Sequence, residues 1–524
     1  MRGIRTALLD KGDFGSGTSG RSSRLIHGGL RYLELGDWRL VFEASRERRT
    51  LLRIAPHLVW PRAFLFPVHV GGRVPCWKLA AGLWLYDLLA LFRNVRPHRM
   101  LSKRQLLHAE PALRDRGLRG GARYFDAQCD DARLTLANVR AAHRHGAVVA
   151  NYLDVEHLDI IDGRVRGARV VDRLSGTRCT VRAVAVVNAT GPWSDDVRRG
   201  DGGPPALRCT KGAHVAVLRS RLGNHEAITS TSPIDGRVMF IVPWGALTYI
   251  GTTDTDTSEA PDEIRASADD VVYLLRSANA LYPAARLQPA DVVSTWAGLR
   301  PLLRADADAT PSAVSREHRI IEGPSGLISI VGGKLTTYRV MAQQVVDRVA
   351  QRLEELDGQR RPSRAPTDTE PLPGGEVVDP SVIVEEVVQA GTAPAIADHL
   401  VRAYGSETHA VLRLAQEQPQ LAQPIVAGHP ALRAELVHGI RREMAMTLAD
   451  LLIRRTHVFY EAVGQGVAEA PAVAEIAATE LGWDAARQAS ELAAYFREVE
   501  RSRSFLMELE GRDISPANPI RSST

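Results

Sequence analysis

Short apolar runs alternate with glycine-rich turns and amphipathic stretches over the first two thirds of the chain. Residues 4–10 are an apolar run that ends in an acid, and residues 183–188 are an unbroken valine-rich run. Both patterns predict fully buried strands, the first of them parallel. Residues 326–331 predict a third buried strand, which passes through Gly332-Gly333 into a helix with apolar positions at helical spacing. Strands that alternate with helices indicate an α/β fold over residues 1–355.

Two other regions have different patterns. Residues 208–217, 237–244 and 247–254 are typical of antiparallel strands, with Gly245-Ala246 closing a hairpin, so we expect a substrate-binding sheet inserted roughly at 200–320. Residues 356–379 contain the clearest linker, rich in Pro, Gly, Thr and charge. Residues 380–524 are rich in Ala, Leu, Glu and Arg at helical spacing, which predicts an all-α domain.

Composition restricts the class of protein. The 524 residues are too many for one core, and 44% hydrophobic with 24% charged residues is typical of a folded globular protein. The net charge of +5 is compatible with an anionic substrate or an acidic membrane surface, and no basic run with interleaved aromatics indicates nucleic acid. Four scattered cysteines indicate neither a disulfide framework nor a metal site.

One apolar stretch has two interpretations. Residues 77–92 are shorter than the roughly 20 apolar residues that cross a bilayer, and they contain Lys78 and Asp87. A buried helix is the slightly favoured interpretation. A helix lying in the membrane interface is the alternative, because two Trp and a Tyr are flanked by arginines.

The glycines near the N-terminus match a dinucleotide motif only literally. Residues 15–20 read G-x-G-x-x-G, but residues 11–14 separate them from the strand and Gly28-Gly29 interrupts any following helix. In a Rossmann unit the phosphate-binding glycines precede such a strand, and the acid at its end, here Asp10, binds the ribose. We therefore expect the first strand, glycine turn and helix of that unit to be missing from this chain.

A second glycine turn, at Gly332-Gly333, is a candidate part of a functional site. Gly332-Gly333-Lys334 lacks the spacing of a P-loop. It either lets the following helix direct its N-terminus at a developing anion or is needed only for packing.

The chain resembles the FAD-dependent glycerol-3-phosphate dehydrogenases over nearly its whole length. The most specific matches are residues 16–33 and 332–339; others are residues 124–134, 188–193, 210–214, 250–254, 297–302 and 442–456. The resemblance implies a Rossmann-like fold of the D-amino-acid-oxidase type, FAD as cofactor, and oxidation of sn-glycerol 3-phosphate to dihydroxyacetone phosphate. It also implies a quinone acceptor, a cytoplasmic location on the inner face of the membrane, and a homodimer.

The resemblance assigns roles to individual residues. Arg31, Tyr32, Arg300 and Lys334 match its substrate site, and Arg300 and Lys334 are also expected to be catalytic. For the general base we expect His214 first and His27 second. The expected cofactor contacts are Asp10, Ser16, Gly17, Thr18, Ser19, Ser22, Ser23, His27, Gly29, Leu30, Thr190, Gly191, Gly332, Gly333, Leu335 and Thr336.

Some alternatives stay open at this stage. The chain is either an active flavoenzyme or a non-catalytic remnant that does not hold FAD tightly. A related flavin oxidoreductase acting on an amino or hydroxy acid is a narrower alternative, since the same cations can hold a carboxylate. In the helical half we expect Arg442, Asp450, Arg454 and Arg455 to form structural ion pairs on one helical face.

Overall fold

The computed structural model describes residues 1–29, 37–90, 95–304, 317–362 and 364–510. The strands in this part of the chain are β1 Ala7–Leu9, β2 Leu25–Ile26, β3 Val59–His69, β4 Arg99–Ser102, β5 Leu118–Cys129, β6 Val148–Ala150, β7 Leu153–Ile161, β8 Arg164–Asp172, β9 Arg178–Arg182, β10 Val187–Asn188, β11 Leu207–Leu218, β12 Ala227–Thr231, β13 Val238–Trp244, β14 Leu247–Gly251, β15 Thr255–Asp256, β16 Val292–Leu303, β17 His318–Glu322 and β18 Ile328–Gly332. The helices are α1 Trp38–Ile54, α2 Cys76–Leu89, α3 Lys103–Ala109, α4 Asp131–Arg144, α5 Ser194–Gly200, α6 Arg219–Leu222, α7 Ala268–Leu281, α8 Tyr338–Asp357, α9 Pro380–Gln389, α10 Pro394–Tyr404, α11 Thr408–Glu417, α12 Arg433–Glu443, α13 Val458–Glu461, α14 Ala470–Leu481 and α15 Ala485–Leu509.

The largest sheet is mainly antiparallel and forms the centre of the molecule. Its strand order is β15-β11-β14-β13-β12-β3-β5-β2, with β16 paired to β11 and β4 paired to β5. The predicted hairpin is confirmed, because Trp244 pairs with Leu247 across Gly245-Ala246. This sheet positions the long strands β11 and β16 side by side.

Two short groups of strands form the parallel part of the fold. Strand β1 pairs in parallel with β6, and β10 pairs in parallel with β18, beside which β17 lies antiparallel. The prediction that residues 4–10 and 183–188 are fully buried is wrong. The exposed fractions of Leu8 and Val184 are 39% and 51%, because both groups line a large cavity instead of packing against a further strand of the described chain.

The helical predictions need small adjustments. The predicted helix after Gly332-Gly333 begins later, since Leu335–Thr337 form a 3₁₀ turn before α8. The apolar stretch at 77–92 begins with helix α2, and residues 91–94 lie outside the described residues. The buried residues of α2 are Leu79, Leu83, Tyr86 and Asp87, so one side of the helix is buried, as in the first interpretation. The other side, with Trp77 and Trp84, is exposed to solvent.

The C-terminal half is helical, as the sequence predicts. Helices α9–α15 are joined by turns and by the π-helix Asp450–Arg455, and the described part of this half has only an isolated bridge between Pro424 and Leu432. Its core is continuous with the large sheet, because Leu451 and Phe459 belong to the same buried cluster as Tyr249 and Trp296. The helical half therefore packs directly on the sheet that carries the site described below.

Buried ion pairs also join the two halves. Arg133 of α4 donates to both carboxylate oxygens of Glu443 at the end of α12, at 2.7 and 3.3 Å, and both side chains are buried. Burial alone raises the pKa of Glu443, but Arg133 and the neighbouring His438 and Arg455 outweigh it and hold this pKa at about 2. The ionised carboxylate is therefore a stabilising group of the fold.

We expect Arg133→Met to lower the free energy of unfolding at pH 7 by about 3–5 kcal/mol, because it leaves Glu443 charged and without its main partner. Since folding lowers the pKa of Glu443 from 4.5 to about 2, wild-type stability should fall as the pH drops from 4.5 towards 2. In the variant the pKa of Glu443 should lie closer to 4.5, so the loss of stability between pH 4.5 and 2 should be smaller than in the wild type. Urea unfolding across this range tests both points, with exposed Arg119→Met as the control. Equal effects of the two substitutions would contradict the prediction.

Candidate active site

One cavity of about 2510 Å³ brings the predicted site residues together. It is larger than the roughly 300–1,000 Å³ of an ordinary small-molecule pocket. Of the predicted residues that the structure describes, all line the cavity except Gly29. Leu30, Arg31 and Tyr32 lie outside the described residues.

The loop at residues 10–23 forms one wall of the cavity. The Asp10 carboxylate accepts a hydrogen bond from the Gly12 N–H at 3.0 Å, and burial raises its pKa. The residues that follow form a tight turn and the 3₁₀ helix Thr18–Gly20, so the G-x-G-x-x-G match is not a strand-to-helix turn. A Cβ at Gly20 would lie 2.3 Å from the Gly15 carbonyl oxygen, which explains why this fold of the loop needs glycine there.

Hydroxyl groups at the end of the loop connect it to the rest of the site. Ser22 donates to Asp131 at 2.7 Å, and Thr18 donates to the Leu299 carbonyl at 2.7 Å. The Ser23 hydroxyl lies 2.8 Å from His214 Nε2. The loop predicted to bind the cofactor is thereby joined to the predicted base.

His214 is held in place by the register of the sheet. It lies on β11 opposite Trp296 on one side and Gly251 on the other. Its imidazole stacks on the Trp296 indole, with ring centroids 5.0 Å apart and an interplanar angle of 9°. A Cβ at Gly251 would lie 2.0 Å from the His214 ring, so only glycine leaves room for the imidazole.

The surroundings of His214 keep its imidazole neutral. Burial, followed by the nearby Arg300 and Arg24, lowers its pKa to about 3. Its Nδ1 has no hydrogen-bond partner among the described residues. His214 therefore presents a neutral, partly unsatisfied ring, which is the form that accepts a proton.

Arg300 lies on β16, in the same cavity. Its guanidinium donates to Thr252 Oγ1 at 2.9 Å and to the Thr253 carbonyl at 3.1 Å, and it pairs with Asp254 at 3.2 Å. A Cβ at Gly212 would lie 2.3 Å from this guanidinium. The side chain is therefore fixed from several sides while it faces the cavity.

Two glycine turns form further parts of the cavity lining. Gly332 and Gly333 both have left-handed φ angles, 78° and 91°, and they carry Lys334 into the cavity lining. Thr190 donates its hydroxyl to Asn188 at 2.7 Å just before the 3₁₀ helix Gly191–Trp193. Both turns follow strands of the parallel group, at the ends where ligands bind in open α/β sheets.

A buried arginine next to the loop is a feature that sequence reasoning missed. The Arg24 guanidinium is buried among four aromatic rings, at 4.8–5.3 Å from their centroids. These rings belong to Trp244, Tyr249, Trp296 and Tyr460. Arg24 Nε also lies 3.8 Å from Asp131. The aromatic residues are far apart in the sequence, so no local pattern marks them as one group.

The C-terminal arginines do more than form ion pairs on one helical face. Arg455 is buried and the Arg454 side chain is 11% exposed, and both reach across to Asp13 in the loop at 10–23. Arg442 is exposed. Asp450 pairs with Arg454 as expected. The expectation of one four-residue face is thus corrected, because Arg442 takes no part in this buried group.

The cavity fits an extended dinucleotide such as FAD. It runs from Asp10 past a loop of small residues and two glycine turns to His214 and Arg300, and so offers backbone N–H groups over its length. Gly17 contributes to this surface, since a Cβ there would lie 3.1 Å from the Trp193 ring. Within the described residues, no group of three His, Cys, Asp or Glu side chains has the arrangement of a metal site.

Comparison with known proteins agrees with this geometry. Residues 1–339 match the family described as FAD dependent oxidoreductase, and residues 365–488 match the C-terminal domain of alpha-glycerophosphate oxidase. The chain is 36% identical to aerobic glycerol-3-phosphate dehydrogenase from Staphylococcus aureus, over 96% of this chain and 90% of that protein.

Solved structures are also similar. The glycerol-3-phosphate dehydrogenase from Bacillus halodurans, complexed with FAD, has a TM-score of 0.79 and 31% identity, over 99% of this chain and 92% of that one. The L-alpha-glycerophosphate oxidase from Mycoplasma pneumoniae shares the fold at 15% identity, with a TM-score of 0.50 over 70% of this chain and 92% of that one. The chain therefore belongs to the aerobic glycerol-3-phosphate dehydrogenases, a family of FAD-dependent oxidoreductases.

Proposed function

We propose that this chain oxidises sn-glycerol 3-phosphate to dihydroxyacetone phosphate and passes the electrons to a membrane quinone. The observation that carries the proposal is the neutral His214 beside the cationic Arg300, in the cavity that the loop at 10–23 also lines. The names of the relatives from Staphylococcus aureus and Bacillus halodurans support the substrate. FAD supplies the acceptor for the hydride that leaves C2.

The substrate phosphate needs cations, and we propose that Arg300 and Lys334 provide them. Both line the cavity, and a guanidinium binds phosphate oxygens through a planar pair of donors. Arg31 and Tyr32 remain predicted members of the same site. An amino or hydroxy acid lacks the phosphate dianion, so we favour glycerol 3-phosphate over that alternative.

The C2 hydroxyl proton needs an acceptor as the hydride leaves, and we propose His214 for this role. Its ring is neutral, and its Nε2 hydrogen bond to Ser23 and its stacking on Trp296 fix its orientation. Arg300 is one of the charges that lower the pKa of His214. A bound phosphate offsets that charge, so the imidazole becomes a stronger base when substrate is present.

Arg300→Lys should lower kcat/KM for sn-glycerol 3-phosphate by about tenfold to a hundredfold, since a charged hydrogen bond is worth roughly 1.5–3 kcal/mol. FAD content should not change. Steady-state reduction of a quinone analogue, with dihydroxyacetone phosphate measured as product, tests this. Arg208→Lys is the matched control, because Arg208 lies on the neighbouring strand and pairs with Asp256 away from the cavity. Equal kinetics of the two variants would contradict the role of Arg300. Faster turnover of glycine or lactate than of sn-glycerol 3-phosphate would contradict the proposed substrate.

His214→Asn should lower kcat by about 10²–10⁴-fold while flavin absorbance is retained. Because the pKa of His214 is lowered to about 3, the neutral imidazole persists below pH 6.5, and the acidic limb of kcat/KM should lie below that pH. The acidic limb of the kcat profile should lie at higher pH than that of kcat/KM, since bound substrate raises the pKa of His214. His27→Asn, measured in parallel, tests the second candidate base. A large loss in His27→Asn alone would assign the role to His27.

We also propose that the aromatic face of α2 contacts the membrane surface. Trp77 and Trp84 have exposed fractions of 74% and 61%, and Leu88 is exposed beside them. Trp38 and Phe42 on the adjacent helix α1 are exposed as well. None of the described helices is long and apolar enough to cross a bilayer. The pattern fits a helix that lies in the interface, where Trp side chains are favoured.

The double variant Trp77→Ser/Leu88→Ser should bind anionic phospholipid vesicles at least about tenfold more weakly, because burial of a large apolar side chain is worth roughly 1.5–3 kcal/mol. Co-sedimentation with vesicles measures the partition coefficient. Val463→Ser/Met507→Ser is the control, since both side chains are exposed and apolar but lie in the helical half. If both double variants bind vesicles like the wild type, α2 is not the contact.

A further inference from the structure

One carboxylate in the loop at 10–23, that of Asp13, is held mainly by two arginines of the helical half, and Asn151 Nδ2 also donates to it at 3.4 Å. Arg455 Nη1 and Nη2 donate to the two Asp13 oxygens at 2.8 and 2.9 Å, and Arg454 Nε donates to the same group at 2.5 Å. Asp13 is 1% exposed. Burial acts to raise the pKa of Asp13, but the two arginines outweigh it and lower this pKa.

The position of Asp13 determines the path of the loop. Its carbonyl oxygen accepts the Ser16 N–H at 3.0 Å. The next residue, Phe14, is buried against Leu136 and Val139 of α4. Asp13 and Phe14 are therefore anchored, and the residues that follow them, Gly15 to Ser19, line the cavity.

The other side of the contact is a short π-helix. In residues 450–455 the Thr456 N–H bonds to the Leu451 carbonyl, five residues earlier, at 3.0 Å. Consecutive arginines, Arg454 and Arg455, both reach Asp13 from this wider turn. π-Helical turns are rare and often occur at functional sites.

The arginines are themselves fixed by further buried groups. Arg454 also pairs with Asp450, which accepts the Tyr152 hydroxyl hydrogen bond at 2.6 Å. Arg455 Nη2 donates to the Glu443 carbonyl oxygen at 2.7 Å. Arg454 lines the cavity directly, so this network extends from the helical half to the cavity wall.

We propose that Arg454 and Arg455 are positioning residues for FAD: they hold Asp13 and thereby keep Ser16 to Ser19 in the conformation that receives the cofactor. The helical half then contributes to cofactor affinity as well as to the stability of the fold. This inference rests on the proposed placement of FAD on the loop at 10–23, and it does not depend on which substrate is oxidised.

A purely structural ion pair makes a different prediction. If Asp13 and the arginines only stabilise the fold, their loss lowers the melting temperature equally with and without added FAD. If they position the loop, the affinity for FAD falls, so the increase in melting temperature produced by FAD also falls. The two roles are separable without measuring turnover.

The experiment uses the full-length holoenzyme and two variants. Arg454→Lys keeps the positive charge but removes the planar fork, and Asp13→Asn removes the charge that both arginines share. We expect each to release FAD at least about tenfold faster on dilution, followed by flavin fluorescence, and to be stabilised less by excess FAD. Glu407→Gln is the matched control, because it breaks the bidentate contact with Arg140 between the two halves, at 2.7 and 2.9 Å, away from the loop.

The outcomes are distinct. Faster release in Arg454→Lys but not in Glu407→Gln supports the proposal, and this variant gives the answer even if Asp13→Asn does not fold. Wild-type release from Arg454→Lys, or equal acceleration in Glu407→Gln, overturns it. Ser16→Leu tests the placement itself: if a bulky side chain at this position leaves FAD release unchanged, the proposed cofactor position fails, and the positioning role fails with it.

Discussion

Buried ion pairs between the two halves of the chain are the interaction on which the site depends. Asp13 is paired with Arg455 and Glu443 with Arg133, and Asp130 lies within hydrogen-bond distance of His457, at 2.6 Å. A buried charge without its partner destabilises the fold, so the buried carboxylates of each half need the partners that the other half supplies. Asp13 lies within the loop at 10–23. Asp130 caps the N-terminus of helix α4, which contacts that loop through Asp131 and Leu136. The helical half thus supplies the positive charges that stabilise the buried carboxylates next to the cavity.

The second constraint is the register of the large sheet. Thr210 pairs with Arg300, Gly212 with Gly298 and His214 with Trp296. Alternate residues share one face of a strand, so this register places the imidazole and the guanidinium on the same side. A slip of one residue between β11 and β16 would place the two side chains on opposite faces of the sheet. The glycines at 212 and 251 then leave the space that these two side chains occupy.

Much of this arrangement could be predicted from local sequence signals. The hairpin at Gly245-Ala246, the antiparallel strands, the late strand at Ile328–Gly332 and the helical second half are confirmed. Each of these elements is predicted by a local pattern: alternation of apolar and polar residues, a turn dipeptide, or helical spacing of apolar residues. The resemblance added the individual site residues, and the structure places nearly all of the described ones in one cavity. Their roles towards cofactor and substrate stay predictions.

The errors have a common physical origin, because they concern properties that depend on distant parts of the chain. The hydrophobic runs at 4–10 and 183–188 form strands only at Ala7–Leu9 and Val187–Asn188. Burial depends on what packs beside a segment, and Leu8 and Val184 line the cavity. Arg455 and Asp13 are 442 positions apart. A run of charged residues on a helix is usually a solvated face, and nothing in the residues around Arg454 indicates a partner in the loop at 10–23. Such a pair becomes visible only when the fold brings both charges out of water, where each must be matched.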